Sequence, residues 1–167
     1  MKQLTVTFRD AGPEDADRLR LWDTFPHVKA SDPESEWEWS TDLAVRHSWR
    51  EQWIAIYQNH PFGFLQIINP QLEPTNYWEI KEQGYCAIDL WIGPPEYLNR
   101  GFGTQMMNHA LAFCFDQPAI HTVLIDPMVS NTSAIRFYKR LGFKFIEERY
   151  FDSDHCYVMA LRKQVNE

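Results

Sequence analysis

The chain has 167 residues, of which 44% are hydrophobic and 15% aromatic, a composition that suits one domain with a single hydrophobic core and excludes a disordered chain. Its formal net charge of −7, from 23 acidic and 16 basic residues, disfavours nucleic acid and anionic membranes as partners and favours a cationic partner. No apolar run approaches the roughly 18 residues that a membrane-spanning helix needs, and we expect no signal peptide.

The N-terminal half is predicted to contain strands, helices and one long loop. Residues 4–9 alternate in polarity, which predicts a strand. Pro13 suits the first turn of a helix over 13–22, and Ser40 or Thr41 can cap a second helix that ends near Trp49. The other predicted segments are an irregular acidic stretch over 23–41, two hairpin strands over 53–57 and 62–69 joined around His60 and Pro61, and a loop over 70–84.

The C-terminal half shows a more regular alternation of apolar runs and turn residues. Its predicted elements are a strand over 85–92, a helix over 105–115, a strand over 122–125, a helix that begins at Asn131, and two strands over 143–150 and 156–161 that turn at 152–154.

A glycine-containing segment, Arg100-Gly101-Phe102-Gly103-Thr104, connects the strand-like run over 85–92 to the helix-like run that follows. Glycine lets the backbone approach a ligand closely, and a helix that starts there presents unpaired N–H groups and the positive end of its dipole. The segment therefore predicts an anion-binding cradle, most naturally for phosphate. It is not a P-loop, because no Lys-Ser/Thr pair follows, and Met106 replaces the third glycine of a dinucleotide fingerprint. The alternative is a glycine-terminated strand and an ordinary helix start.

A second motif lies between Asn131 and Phe143. Asn131 can cap a helix, apolar residues recur at helical spacing, and Gly142 can end it. In their order and separation, the glycine segment and this helix resemble the GCN5-related N-acetyltransferase (GNAT) superfamily, whose members bind acetyl-CoA at such a loop and carry an Asn-x-x-Ala-x-x-x-Tyr-x-x-x-Gly-Phe helix. The resemblance covers residues 84–162 well and the N-terminal half only in outline.

The resemblance implies a fold and a cosubstrate. We expect one domain over 1–167 with the α+β GNAT fold, in which helices flank a mixed, mostly antiparallel sheet and two strands splay apart where pantetheine inserts. The cosubstrate would be acetyl-CoA, without a metal. One departure is Leu98, where the family usually has Gln or Arg. The residues expected to contact acetyl-CoA are Trp91, Ile92, Arg100, Gly101, Phe102, Gly103, Thr104, Asn131, Ala134 and Tyr138.

Acetyl transfer to an amine requires a group that removes a proton from the ammonium form. Asp89 interrupts an apolar strand, and Asp126 ends the next strand before a proline. With the glycine segment, their local sequences resemble the aminoglycoside 6′-N-acetyltransferase branch. That resemblance implies that Asp89 is the base, directly or through a water, and that Asp126 binds the substrate ammonium. The alternatives are a solvent-facing strand residue for Asp89 and a turn-forming residue for Asp126.

Tyr138 is the second candidate catalytic residue. A phenol at this position of the family helix would return a proton to the departing CoA thiolate. The alternative is a core tyrosine whose hydroxyl is satisfied elsewhere.

An acidic segment with two tryptophans is expected to shape the acceptor pocket. Trp37 and Trp39 lie beside Glu38, and carboxylates flanked by flat rings suit a polycationic sugar. The alternative is a solvated acidic loop that its tryptophans anchor to the core. The carboxylates of this segment are Asp32, Glu34, Glu36, Glu38 and Asp42, and those that could complete the rim are Glu73, Glu79 and Glu82.

The leading hypothesis is an acetyl-CoA-dependent N-acetyltransferase that acts on a small cationic amine, an aminoglycoside at its 6′-amino group, with antibiotic resistance as the implied role. We expect a monomer or homodimer. Three widely spaced cysteines, Cys86, Cys114 and Cys156, suit a reducing cytoplasm and argue against a disulfide framework or a zinc site. The alternatives are acetylation of a siderophore hydroxylysine, a polyamine or a protein N-terminus, and a non-catalytic acyl-CoA-binding domain.

Overall fold

The computed structural model describes residues 4–33 and 35–165, so Glu34 of the acidic segment lies outside the described residues. The strands are β1 (Val6–Asp10), β2 (Arg50–Tyr57), β3 (His60–Ile68), β4 (Tyr85–Ile92), β5 (Thr122–Ile125), β6 (Lys144–Phe151) and β7 (Asp154–Arg162). The α-helices are α1 (Ala16–Asp23), α2 (Pro26–Ser31), α3 (Trp39–Asp42), α4 (Phe102–Asp116) and α5 (Thr132–Arg140). Short 3-10 turns cover Pro13–Asp15 and Pro95–Tyr97.

All seven strands belong to one sheet, in the order β1-β2-β3-β4-β5-β7-β6. Neighbouring strands are antiparallel except β4 and β5, which are parallel. Helices α4 and α5 cover one face of the sheet, and α1 and α3 pack against the other. The predicted fold class, a mixed and mostly antiparallel sheet flanked by helices, is therefore confirmed.

Alternation of side chains along β4 separates the two faces of the sheet. Cys86 and Ile88 pack into the core formed with α4 and α5, which we call the α4–α5 face. Ala87 points the other way, into a cluster with Trp78, and Trp91 packs against the cluster of α1 and α3. This second side is called the α1–α3 face. A carboxylate at position 89 therefore lies on the α1–α3 face.

β4 and β5 separate after a short stretch of pairing. Their register extends only from Tyr85 with Thr122 to Ala87 with Leu124, although β4 continues to Ile92. Residues 88–92 pair with β3 on one side and have no strand partner on the β5 side. Apart from the Ile92 carbonyl, which His27 contacts, the backbone N–H and C=O groups that point to that edge have no strand partner among the described residues and are available for another extended chain. This is the splaying that the family resemblance implied.

The predicted second helix over 40–49 is wrong in its extent. The structure contains a single helical turn, α3, followed by turns and by β2 from Arg50. Trp39 and Leu43 are buried, but residues 44–48 are all exposed. A helix continued through them would have no apolar face to pack, and short helices need such packing to be stable. The segment predicted as irregular instead contains α2, which begins with a proline.

The β2–β3 hairpin turns two residues earlier than predicted. Gln58 and Asn59 both have positive φ angles, of 48° and 63°, and Tyr57 pairs with His60. Two consecutive left-handed residues are the geometry of the tight turn that matches the strand twist. Within the part of the chain that the structure describes, no helix is both long and apolar enough to cross a membrane.

Candidate active site

The glycine segment forms the start of α4, which begins at Phe102, three residues earlier than predicted. Gly101 is the N-cap with a φ of 87°, a left-handed conformation that glycine adopts without steric cost. Within the described part of the chain no side chain caps this helix end, and the first intrahelical bond runs from the N–H of Gln105 to the carbonyl of Gly101. The N–H groups of residues 102–104 therefore remain available to an anion.

The side chains around this helix start have mostly structural contacts. Phe102 is fully buried, so only its backbone can meet a ligand. Arg100 is exposed; its guanidinium donates to the carbonyl of Glu96 and lies 5.3 Å from the ring of Phe102. A Cβ on Gly103 would lie 3.3 Å from the Phe137 ring, so this glycine lets α4 and α5 pack closely. Thr104 is half-buried in the first turn of α4.

The predicted contacts on β4 lie on its unpaired edge. Trp91 and Ile92 both fall in the segment that has no strand partner on the β5 side. The ring of Trp91 packs against Phe64 at 4.7 Å on the α1–α3 face, and its carbonyl lies on the β3 side, close to Gly63, so Trp91 meets the gap less directly than Ile92 does. The carbonyl of Ile92 lies 2.9 Å from Nε2 of His27 on α2, a contact that had no sequence signal.

α5 begins as predicted, because Asn131 caps it. The Oδ1 atom of Asn131 accepts a hydrogen bond from the N–H of Ala134 at 3.3 Å, so this side chain stabilises the helix start. Tyr138 lies two turns later, with its ring between those of Phe137 and Phe143. Burial raises the pKa of the Tyr138 phenol, and the nearby carboxylates of the α1–α3 face add to this effect.

Asp89 lies in a row of polar side chains that crosses three neighbouring strands. It pairs in register with Gln66 of β3, which pairs with Gln52 of β2. Nε2 of Gln66 donates to Oδ2 of Asp89 at 2.8 Å, and Gln52 donates to Gln66 at 3.4 Å. Burial raises the pKa of Asp89, and the bond from Gln66 opposes this shift. Gln66 was missed, although it is the single amide in an apolar strand.

Asp126 follows β5 and faces the same side of the sheet. The hydroxyl of Tyr77 donates to its Oδ2 atom. Burial raises the pKa of Asp126 well above its usual value, with a further contribution from the charge of Asp89. Both carboxylates nevertheless keep accessible surface, as does Tyr138. Side chains that are desolvated but still accessible line a cleft. Across the gap between β4 and β5, the charges of the two carboxylates raise the pKa of Tyr138.

Asp32, just after α2, adds a third carboxylate to the cleft. Burial against the cleft wall and the charges of Asp89 and Asp154 raise its pKa to about 6. Because Asp32 is exposed at the rim, solvent screens part of this effect. Among the described residues, no Lys or Arg side chain forms an ion pair with Asp32, Asp89 or Asp126. The negative charge of the cleft is therefore not neutralised by the protein in the described part.

The predicted acceptor residues of the acidic segment take different positions. Trp39 is 1% exposed and its indole N–H donates to Asp23, so it belongs to the core. Trp37 stacks on it at 4.5 Å, is half-buried, and lines a cavity of about 480 Å³ with Asp32. Glu38 is exposed at the start of α3. The structure thus places Trp37 beside Asp32, in a cavity whose lining includes Lys29 but neither Asp89 nor Asp126, and Trp39 in the core.

Two of the glutamates predicted for the rim have structural partners. The carboxylate of Glu73 accepts hydrogen bonds from the backbone of its own turn, and Glu79 pairs with Arg149 at 3.4 Å. The three cysteines are free and buried. In the described ranges, no group of three or more His, Cys, Asp or Glu side chains could hold a metal ion.

Comparison with known proteins places this geometry in a family. The profile of the acetyltransferase (GNAT) domain matches residues 12–151. Aminoglycoside N(6′)-acetyltransferase type 1 of Klebsiella pneumoniae is 28% identical over 93 residues, which cover 55% of this chain and 46% of that protein. The protein of the same name from Serratia marcescens matches to the same extent. The chain thus spans about half the length of the curated relatives it matches.

Solved structures show the same fold. The aminoglycoside acetyltransferase AAC(6′)-Ib in complex with coenzyme A has a TM-score of 0.84 at 21% identity, covering 95% of both chains. Aminoglycoside N(6′)-acetyltransferase of Legionella pneumophila has a TM-score of 0.72 at 24% identity, covering 97% of this chain and 94% of that one. The family predicted from the glycine segment and the Asn131 helix is confirmed, because the profile spans most of the sequence. This chain belongs to the GNAT family of acetyltransferase domains.

Proposed function

We propose that this chain transfers the acetyl group of acetyl-CoA to a primary amine of a small polycationic acceptor, an aminoglycoside at its 6′-amino group. Family membership supports the class of reaction, and the names of the curated relatives support the class of acceptor. The observation that carries the proposal is a cleft at the gap between β4 and β5 whose carboxylates form no ion pair with any Lys or Arg in the described ranges.

The residues at the gap fit acetyl-CoA. A diphosphate needs several N–H donors, and the start of α4 offers those of residues 102–104 without a capping side chain. An extended pantetheine arm carries amide groups that need backbone partners, and residues 88–92 present an unpaired strand edge beside it. Both features come from backbone groups, so the departure at Leu98 removes a side-chain contribution and leaves the main donors intact.

The carboxylates fit an acceptor with more than one ammonium group. Asp89 and Asp126 lie close enough for each charge to disfavour the other, and Asp32 adds a third charge at the rim. Like charges brought together in a cleft favour either protonation or a bound cation. A polycation would satisfy several carboxylates at once, and the half-buried Trp37 offers a flat apolar surface beside Asp32.

The proton transfers are assigned to Asp89 and Tyr138. When bound, acetyl-CoA supplies an acyl carbon attached to a good leaving group. Asp89 would accept the proton of the acceptor ammonium, directly or through one water, and its raised pKa makes it a stronger base than an ordinary aspartate. Tyr138 keeps its proton at neutral pH because its pKa is raised, so it can donate that proton to the leaving sulfur.

A panel of acceptors tests this proposal. Purified protein with acetyl-CoA should release free thiol with kanamycin-type aminoglycosides, and mass spectrometry should locate the acetyl group on the 6′-nitrogen. Asp89→Asn should lower turnover about a hundredfold or more while calorimetry shows unchanged binding of acetyl-CoA. Asp116→Asn, the same substitution at the exposed end of α4, is the matched control and should keep full activity.

Each negative outcome has a separate meaning. Turnover with polyamines or hydroxylysine but with no aminoglycoside would remove the acceptor assignment and keep the reaction class. Full activity of Asp89→Asn at every pH would remove the base assignment. Binding of acetyl-CoA without turnover on any amine would overturn the enzymatic proposal.

A further inference from the structure

The loop between β3 and β4 brings a tyrosine to the carboxylate proposed to bind the acceptor. The Tyr77 hydroxyl donates a hydrogen bond to Oδ2 of Asp126. Its ring stacks on Phe151 with a centroid distance of 4.2 Å and an interplanar angle of 6°. The side chain is 41% exposed, so its ring forms part of the rim while its hydroxyl reaches into the cleft.

Contacts on both sides of Tyr77 hold this loop in place. The carboxylate of Glu73 accepts the N–H of Tyr77 at 3.0 Å, which fixes the turn before the ring. Arg149 of β6 donates to the carbonyl of Trp78 at 3.3 Å and forms an ion pair with Glu79 at 3.4 Å. Trp78 is buried against the same phenylalanine that supports Tyr77. The position of the Tyr77 hydroxyl is therefore set by loop contacts that are independent of Asp126.

Groups from several elements influence Asp126 or are influenced by it. Burial and the charges of Asp89 and Asp32 raise its pKa, whereas the hydrogen bond from Tyr77, together with the residue's own backbone, lowers it. Burial raises the pKa values of Tyr138 and Cys156, and the charge of Asp126 adds to this effect, so both stay neutral at physiological pH. Among these side chains, Tyr77 is the one that stabilises the ionised form of Asp126.

We propose that Tyr77 is a positioning residue for the acceptor, because its hydroxyl bond favours the ionised form of the Asp126 carboxyl and orients that group for an ammonium ion. The inference rests on the proposed function, in which Asp126 binds that group. A carboxylate offers about four lone-pair sites, so the bond from Tyr77 leaves sites for the ammonium ion. Tyr77 thus acts together with the acceptor rather than in competition with it.

Replacing Tyr77 by phenylalanine tests the inference, since it removes the hydroxyl and keeps the ring on Phe151. Loss of a hydrogen bond to a charged group should raise the acceptor KM about tenfold on the acid side of the pH profile. Because the bond favours the carboxylate, its loss raises the pKa of Asp126, and the acid limb of kcat/KM should shift about one unit higher. The KM for acetyl-CoA should not change.

The control is Tyr150→Phe, which removes the hydroxyl of a tyrosine that is 67% exposed and stacks on His155. It should leave both KM values and the pH profile unchanged.

Carbon-13 NMR of the Asp126 carboxyl in the ligand-free protein gives a readout that does not need turnover. Tyr77→Phe should raise that pKa even if no acceptor is found, so failure of the proposed function and failure of this inference are distinguishable. An unchanged pKa of Asp126, or tighter acceptor binding by Tyr77→Phe, would overturn the inference.

Discussion

Of the substitutions near Asp89, replacing Gln66 by leucine tests most specifically whether Asp89 acts as the base. Gln66 is buried, its Nε2 atom donates to Asp89 at 2.8 Å, and leucine has a similar size without a donor. A hydrogen bond to a charged group contributes about 1.5–3 kcal/mol, which corresponds to about 1–2 units in the pKa of the acceptor carboxyl. The bond stabilises the carboxylate, so its loss should raise the pKa of Asp89 by that amount.

The effect should appear as a shift of the pH profile. A base must be deprotonated to act, so the acid limb of kcat/KM in Gln66→Leu should move about 1–2 units higher, while the rate at alkaline pH approaches that of the wild type. Thiol release measured across the pH range gives both quantities. Gln52→Leu is the matched control, because Gln52 donates to Gln66 and not to Asp89, and its shift should be smaller. An unshifted acid limb, or an equal loss at every pH, would refute the role of Asp89 as the base.

Two further substitutions address the cofactor loop and the charge of the cleft. Gly101→Ala should lower the free energy of unfolding by roughly 1–2 kcal/mol, because φ is 87° there, and should weaken acetyl-CoA binding; unchanged urea unfolding would contradict this. The added Cβ would meet only Leu4 at 3.8 Å, so the loss would come from backbone conformation. Asp126→Asn should stabilise the ligand-free protein by about 1 kcal/mol at neutral pH, because it removes a desolvated charge beside Asp89. The pKa of Asp126 is raised by folding, so the wild type loses stability as pH rises through that pKa, and the two proteins should converge at low pH. Equal unfolding free energies at every pH would contradict this expectation.

The elements that the sequence predicts best combine a strong polarity pattern with a clear boundary residue. β4 and β5 have their predicted bounds, and α5 begins after Asn131 as predicted. The segment over 40–49 has a suitable cap but no apolar face, so a prediction from the cap alone made this helix too long. The short α2 was missed because one buried residue, Val28, is too weak a periodic signal.

Site residues could be predicted only where a polar side chain interrupts or ends the apolar pattern of its own strand. Asp89 interrupts an apolar run and Asp126 ends one, so both were identified from the sequence. Gln66 breaks the pattern of β3 in the same way and could have been identified by the same reasoning. Tyr77 could not, because the path of its loop depends on contacts with Arg149 and Phe151, which are far away in the sequence.

A crystal structure of this chain with bound coenzyme A tests the proposed acetyl transfer most directly. The diphosphate should accept hydrogen bonds from the N–H groups of residues 102–104, and the thiol should lie in the gap between β4 and β5 on the side of Asp89. Diphosphate bound elsewhere, or a thiol directed away from Asp89, would contradict the assignment of this cleft as the site of acetyl transfer.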